Sequence, residues 1–145
     1  MAAQITLQLP EEWQSFSETL NDNGRMLAHV EYYLSNDDSE SDKALIDVYA
    51  GTMPEGSDAG KEALNSYYDI IGDEDETDED PLTRWPFQGM DAFGFEAICE
   101  DDSIMRVMCI EPEPGKIVLM NIVAEDDPTF DECILHVEKN LSVKF

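Results

Sequence analysis

Residues 73–80, with the sequence DEDETDED, are the densest set of potential metal ligands in the chain, because seven of the eight side chains are carboxylates. Carboxylate oxygens suit hard cations such as calcium. An EF-hand loop that began at Asp73 would, however, place Asp78 where a glycine is needed and Arg84 where a bidentate glutamate is needed. The calcium pattern therefore fails. Because the like charges repel one another at neutral pH, the run predicts a solvated, extended loop or a patch for a basic partner.

Histidine and cysteine give little indication of a metal site. His136 follows Cys133 by three residues in a predicted helix, and His29 lies in a predicted strand. A cysteine and a histidine supply only two ligands, and no CxxC or HxxxH motif supplies the others that structural zinc needs. We therefore predict no metal site, and we expect Cys133 to lie in the core and His136 to be partly exposed.

No motif for nucleophilic catalysis occurs in the sequence, since a GxSxG elbow or a comparable arrangement is absent. A general acid and a general base cannot be singled out among 34 acidic residues, because chance pairs of carboxylates are abundant. We predict no catalytic residue, no cofactor and no enzymatic activity.

The acidic excess limits the classes of partner. The chain has 34 acidic and 8 basic residues, and its formal net charge is -26. Binding to nucleic acid or to anionic lipid depends on lysine and arginine, so both are excluded as partners. A basic protein is the partner that the charge favours.

The length of 145 residues predicts a single domain, residues 1–145, with an acidic loop at 73–80. The three cysteines lie in apolar sequence, which predicts reduced core thiols. No charged and then apolar leader opens the sequence, and no apolar run approaches the roughly 20 residues of a membrane span. These features predict a cytoplasmic protein.

Trp85 is the strongest candidate for a contact with another protein. It lies beside Arg84 and Pro86, just beyond the acidic loop, and an aromatic anchor with a polar rim is typical of protein interfaces. The alternative is that Trp85 begins a strand and fills the edge of the core. The predicted contact consists of Trp85, Arg84, Asp73, Asp75, Asp78 and Asp80.

Alternating apolar residues predict strands at 5–9, 26–34 and 44–51, of which the last two form a hairpin with a long acidic turn. Further strands, three of them in an antiparallel meander, are predicted at 82–87, 92–99, 104–110 and 116–123.

Two helices are predicted from apolar residues at helical spacing. The first begins after Ser57 or Asp58 and ends at Gly72. The second has Asp127 as its N-cap and Pro128 at its first helical position. After it, the closing LSVKF should extend along the sheet. Strands interrupted by one helix and followed by another predict an α+β fold, an antiparallel sheet flanked by helices.

Several segments resemble the Mog/PsbP-like fold family. They are ITLQLPEEW (5–13), ALIDVYAG (44–51), EALNSYYDII (62–71), GMDAFGFEAI (89–98) and the closing helix that leads into LSVKF (141–145). The family is a sandwich that includes the Ran-binding factor, PsbP and many small bacterial proteins. The resemblance implies a bacterial protein with an antiparallel sheet flanked by helices, and a function in binding proteins rather than in turning over a substrate. It implies no particular site residue.

We therefore predict a non-catalytic protein-binding module, such as an adaptor or a chaperone, whose acidic surface recognises a basic protein. The alternative is a small-ligand-binding or hydrolytic protein with a carboxylate-lined cleft between the sheet and the helices.

Overall fold

The computed structural model describes residues 4–11, 13–22, 26–35, 42–70, 82–99 and 102–144. Nine strands and two helices occur among the described residues. In chain order they are β1 (Gln4–Thr6), β2 (Gln14–Asp22), β3 (Met26–Ser35), β4 (Asp42–Thr52), α1 (Ala59–Ile70), β5 (Thr83–Phe87), β6 (Met90–Ile98), β7 (Ile104–Ile110), β8 (Lys116–Ala124), α2 (Asp127–Asn140) and β9 (Ser142–Lys144).

The strands form two antiparallel sheets. The larger sheet has seven strands in the order β2-β3-β4-β8-β7-β6-β5, so that β2 and β5 are its edges. β1 and β9 pair separately in a two-stranded sheet. The predicted hairpin of β3 and β4 is confirmed. The predicted antiparallel meander is also present, and it has four strands, β5 to β8, instead of three. The observed architecture is α+β, as predicted.

The main core lies between the larger sheet and α2. Side chains alternate along each strand, and the inward residues of β4 and β8, such as Ile46, Val48 and Met120, are fully buried. They pack with Phe130 and Cys133 of α2. Each fully buried large apolar side chain contributes roughly 1.5–3 kcal/mol to folding. This core holds the central strands in a fixed register, and the register decides which side chains meet on the other face.

The second face of the sheet is covered by α1 at one end. α1 packs on β6 and β7, where Ala63 is fully buried beside Cys109 and Tyr67 meets the Phe95 ring edge-on, with ring centres 5.2 Å apart. The helix begins as predicted, because the Asp58 side chain accepts a hydrogen bond from the Lys61 backbone N–H. The predicted end at Gly72 lies outside the described residues.

The start of α2 differs from the prediction by one residue. Asp126 is the N-cap: its backbone is extended, and its Oδ1 accepts a hydrogen bond of 2.9 Å from the Thr129 backbone N–H. Asp127 and Pro128 are therefore the first two helical residues. Proline fits there because the first turn of a helix needs no internal N–H partner. The expected core position of Cys133 and partial exposure of His136 are confirmed.

Two strand predictions need correction. The first strand is shorter than predicted, because only Gln4–Thr6 pairs with β9. β2 was not predicted at all, since its residues lack a regular alternation of apolar side chains; it is nevertheless paired with β3. The closing segment does extend, but β9 pairs with β1 instead of joining the larger sheet, while Val143 and Ile5 pack against the main core.

A tight turn joins β5 to β6 and connects them with α2. Gln88 and Gly89 both have positive φ, of 50° and 80°, which is the backbone of the two-residue turns that match the twist of a hairpin. The side-chain Nε2 of Gln88 donates to the carbonyl oxygens of Glu138 and Leu141, each at 2.9 Å. These bonds satisfy carbonyls at the end of α2 and position the edge hairpin against that helix.

Candidate functional site

Arg84 and Trp85, two of the predicted contact residues, lie on β5 at the outer edge of the larger sheet. Strand alternation places them on opposite faces. Trp85 is half-buried and packs against the main core, whereas Arg84 is exposed. Pro86 follows them; it has no backbone N–H to offer an added strand, which is typical of an edge.

The remaining predicted contact residues, Asp73, Asp75, Asp78 and Asp80, lie outside the described residues.

Trp85 has an intramolecular cationic partner. The guanidinium carbon of Arg106, on β7, lies 4.3 Å from the centre of the Trp85 ring and 5.4 Å from that of Phe130. Nη2 of Arg106 also lies 3.5 Å from Oε1 of Glu96. Because a cation of the same chain occupies part of the ring, less of Trp85 is left for another protein. This geometry agrees with the alternative reading, in which Trp85 fills the edge of the core.

A different surface presents more aromatic and charged side chains. α1 packs on β6 and β7, and no described helix packs on the same face over β2, β3 and β4. We call this part of the sheet the open face. Its residues, taken from the strand register, include Gln14, Phe16, Glu18, His29, Glu31, Tyr33, Leu45, Asp47 and Tyr49, with Asn121 of β8 at the border towards α1.

Three of these residues form a compact group at the centre of the open face. Nε2 of His29 and Oδ1 of Asp47 are 2.9 Å apart. Since an ionised carboxylate only accepts hydrogen bonds, Nε2 carries the proton and donates it. The His29 ring stacks on that of Tyr49, with ring centres 4.1 Å apart and planes 6° from parallel. His29 is only 8% exposed. These contacts fix the carboxylate of Asp47.

A row of acceptors crosses the open face at Asp47. In the ladder Asp47 is directly opposite Glu31 on β3 and Asn121 on β8. Directly opposite residues have Cβ atoms about 5 Å apart, and like charges at that distance destabilise a sheet. Neither Glu31 nor Asp47 makes an ion pair with a lysine or arginine among the residues that the structure describes. Oδ1 of Asn121 is buried and accepts no hydrogen bond from any described residue.

The rim of the open face includes an exposed aromatic ring. Phe16, on the edge strand β2, pairs directly with Glu31 and is 57% exposed. Tyr33 is half-buried, and its hydroxyl donates a hydrogen bond of 3.1 Å to Oε1 of Gln14. An exposed aromatic ring beside a group of polar acceptors resembles the anchor and polar surroundings of protein interfaces.

Sequence reasoning missed the open face, although part of the signal is present in the sequence. Alternation shows that Glu31 and Tyr33 share a face of β3, and that Asp47 and Tyr49 share a face of β4. It does not show that these faces are the same one, or that Asn121 of a distant strand lies beside them. Tyr32, adjacent to Tyr33, points the other way and is buried, as alternation requires.

The predicted carboxylate-lined cleft has a counterpart in the described part of the chain. A cavity of about 610 Å³ lies at the N-terminal end of α1, and its lining includes the carboxylates of Asp58, Asp91 and Glu111. Asp58 caps α1 through the Lys61 N–H, and Oε2 of Glu111 accepts a hydrogen bond from the Gly115 N–H at 3.2 Å. Two of the three carboxylates therefore already stabilise local backbone structure.

In the described ranges, no three histidine, cysteine, aspartate or glutamate side chains are placed to hold a metal ion. None of the described helices is long and apolar enough to cross a membrane.

No protein-family model matches the sequence, and no curated protein matches it either. The structure is similar to the crystal structure of LpqN of Mycobacterium tuberculosis, a protein involved in cell envelope biogenesis. The TM-score is 0.59, the sequence identity is 12%, and the alignment covers 99% of this chain and 85% of LpqN. At this identity the likeness shows the fold alone, and it does not confirm the Mog/PsbP-like assignment.

Proposed function

We propose that this protein is a non-catalytic protein-binding module that recognises a basic protein partner, in the manner of an adaptor or a chaperone. The observation that carries the proposal is the open face, where the exposed ring of Phe16 adjoins the facing carboxylates of Glu31 and Asp47. Exposed aromatic area supplies apolar contact, and the carboxylates supply charge complementarity to a basic surface. Trp85 remains part of the proposal as a smaller contact, since only part of its ring is buried.

The net charge of -26 supports the same partner class. A field of one sign steers an oppositely charged protein to the surface and accelerates association, and dissolved salt screens this effect. Nucleic acid and anionic membranes carry the same sign as this chain, so the field opposes their approach.

The fold assignment and the cellular location belong to the same proposal. We propose a single Mog/PsbP-like domain, because the seven-stranded antiparallel sheet with α1 and α2 on its two faces, together with the small sheet of β1 and β9, accounts for the described residues. Three free cysteines support a cytoplasmic location.

The test is an association rate at two ionic strengths. Proteins captured by the immobilised chain at low salt are identified by mass spectrometry, and the most abundant basic one is purified. We expect its association rate constant to fall at least about tenfold between about 20 and about 150 mM NaCl. An association rate that does not change over this range would contradict recognition by charge.

A second candidate function is binding or hydrolysis of a small cationic ligand, supported by the cavity with Asp58, Asp91 and Glu111. An Asp91→Asn variant tests it, because Asp91 lines the cavity and does not cap α1. If this candidate is correct, D91N loses affinity for a small diamine such as putrescine, measured by calorimetry, while its affinity for the basic protein is retained. A D91N variant that binds putrescine like the unaltered protein would exclude it.

A further inference from the structure

We propose that the open face holds an arginine side chain of the partner between Glu31 and Asp47, with the guanidinium also donating to Asn121. This inference rests on the proposed function and names the chemistry by which the partner is recognised. The arginine belongs to an amphipathic segment whose neighbouring apolar side chain packs on Phe16.

The first step is electrostatic. Glu31 and Asp47 face each other on neighbouring strands, and no lysine or arginine among the described residues neutralises either of them. His29 donates to one oxygen of Asp47 and holds it in place, but it leaves the other oxygen and the whole Glu31 carboxylate as acceptors. A facing pair of like charges costs stability in the free protein. A cation from a partner removes that cost when it binds.

The second step concerns hydrogen bonding. Oδ1 of Asn121 is a buried acceptor that has no donor in the described part of the chain. Leaving such an atom unpaired costs about 1–3 kcal/mol. Asn121 is directly opposite Asp47 on the next strand. Because its Oδ1 is fully buried in the free protein, neighbouring side chains must shift when the guanidinium binds at Asp47, and this shift lets the guanidinium supply the missing hydrogen bond.

The third step distinguishes arginine from lysine. Neighbouring strands are about 4.8 Å apart, so the backbone positions of Glu31, Asp47 and Asn121 span about 10 Å across three strands, and their side chains can converge on one group above Asp47. A guanidinium carries five N–H donors in a plane and can serve several carboxylates and amides at once, whereas an ammonium is a compact point charge. The width and number of these acceptors fit arginine better.

The fourth step identifies the rest of the contact. Phe16 lies on the strand beyond Glu31 in the same row, and more than half of it is exposed. An apolar side chain of the partner that packs on the Phe16 ring therefore lies about one strand spacing away from Glu31. The occupant is therefore a protein segment that carries both an arginine and an apolar residue, not a free cation.

Other occupants are disfavoured by the same charges. A second copy of this chain would bring Glu31 and Asp47 against their own counterparts, and each copy carries a net charge of -26. Phosphates of nucleic acid or of lipid would meet the same repulsion.

The experiment uses peptides of about 14 residues that contain leucine and one central arginine, titrated into the full chain in a calorimeter at low salt. One control peptide replaces the arginine with citrulline, which keeps the shape and removes the charge; another replaces it with lysine. The protein variants are Glu31→Gln with Asp47→Asn, and Asn121→Leu. The matched control is Asp131→Asn with Glu138→Gln, which removes the same charge from exposed positions on α2.

We expect the arginine peptide to bind the unaltered protein, the citrulline peptide to bind at least about tenfold more weakly, and the lysine peptide to lie between them. E31Q/D47N should lose at least about tenfold in affinity, N121L several-fold, and D131N/E138Q less than about twofold. E31Q/D47N should also melt close to the temperature of the unaltered protein, because the loss of the facing like charges offsets the weaker hydrogen bond from His29 to an uncharged acceptor. This readout also shows that the double variant is folded.

Three outcomes would overturn the inference. If E31Q/D47N bound the arginine peptide with unchanged affinity and its binding still weakened with salt, the inference would be wrong. The proposed function would then depend on another acidic surface of the chain. Equal affinity for the arginine and citrulline peptides would show that the charge of the arginine contributes nothing to binding, which contradicts the inference. If the unaltered protein binds neither the arginine peptide nor a purified basic protein, both the inference and the proposed function are wrong.

Discussion

Trp85 and Arg106 stack across strands that are not neighbours, since β6 lies between β5 and β7. The strand register explains why this is possible. The β6 residues between them on this face are Ala92, which pairs with Trp85, and Gly94. Neither has a large side chain, so the Arg106 side chain can extend over β6 to the indole ring.

The stack predicts the effect of removing the cation. We expect Arg106→Gln to lower the free energy of unfolding by about 1–2 kcal/mol, because two ring contacts and the Glu96 ion pair are lost. Arg84→Gln removes the same charge from an exposed position on β5 and should change stability by less than about 0.5 kcal/mol. Urea unfolding followed by tryptophan fluorescence measures both. Equal stability of the two variants would show that the stack contributes nothing.

Gly94 is predicted to tolerate no side chain. A Cβ at this position would overlap the backbone carbonyl oxygen of Val107 on β7. We expect Gly94→Ala to cost about 3 kcal/mol or more, because the backbone of two central strands would have to separate. The measurement is the urea midpoint or, if the variant does not fold, the loss of its near-ultraviolet circular dichroism.

Gly60→Ala is the control for that change. A Cβ at Gly60 meets only Oδ1 of Asp58 at 3.3 Å and the Phe93 ring at ordinary contact distance. Alanine also favours the helix. Gly60→Ala should therefore stay within about 1 kcal/mol of the unaltered protein. Equal stability of the Gly60→Ala and Gly94→Ala variants would contradict the close approach of the β6 backbone at Gly94 to the β7 backbone at Val107.

The N-cap of α2 predicts a difference between two adjacent aspartates. Asp126→Ala should lower the melting temperature more than Asp127→Ala, because only Asp126 accepts the Thr129 hydrogen bonds. Hydrogen bonds from the Thr129 side chain and backbone hold the pKa of Asp126 below its usual value. The capping contribution is therefore present above the unfolded pKa of about 3.9 and is lost as the pH falls through the lower, folded value. Melting temperatures between pH 7 and pH 2.5 test this.

Asp126→Ala should accordingly lose its disadvantage at the acid end of that range. If Asp127→Ala lowered the melting temperature more than Asp126→Ala at neutral pH, the N-cap would be Asp127, as the sequence alone indicated.

The buried thiols predict an alkaline loss of stability. Burial raises the pKa of Cys109 to about 12, with a smaller contribution from the charge of Glu62. Burial raises the pKa of Cys133 to about 12 in the same way. Because the folded values exceed the unfolded ones, the stabilisation is complete below about pH 9 and falls as the pH rises towards 12. We expect the free energy of unfolding to decline less steeply above pH 9 in a Cys109→Ala, Cys133→Ala variant.

Cys99 provides the control within the same chain, because it is only half-buried. At pH 8 a disulfide reagent should modify Cys99 at least about tenfold faster than the two buried thiols. Three thiols that react at one rate in the folded protein would contradict the burial of Cys109 and Cys133.

Much of the fold could be predicted because its signals are local. The β3–β4 hairpin, the meander and both helices follow from alternation, apolar stripes and turn residues within short segments. β2 was missed because it is an edge strand with a single described neighbour, β3. Such a strand buries little, so its sequence needs no regular apolar pattern.

The open face could not be predicted because it depends on pairings between distant segments. Asp47 lies opposite Glu31 only because of the register of the β3–β4 hairpin, and a shift of one residue would move Asp47 to the other face. Asn121 lies beside them because β4 pairs with β8, although α1 and strands β5 to β7 separate these two strands in the sequence. No local pattern around Glu31 contains that information.

The pairing of β1 with β9 also affects how the chain is made. Gln4 pairs with Lys144, and Thr6 with Ser142, so the earliest described strand depends on the latest one. A ribosome releases β1 long before β9, and contacts between such distant segments slow folding. During translation β1 therefore has no ladder partner until β9 has emerged, and a chaperone that shields its unpaired backbone would act in that interval.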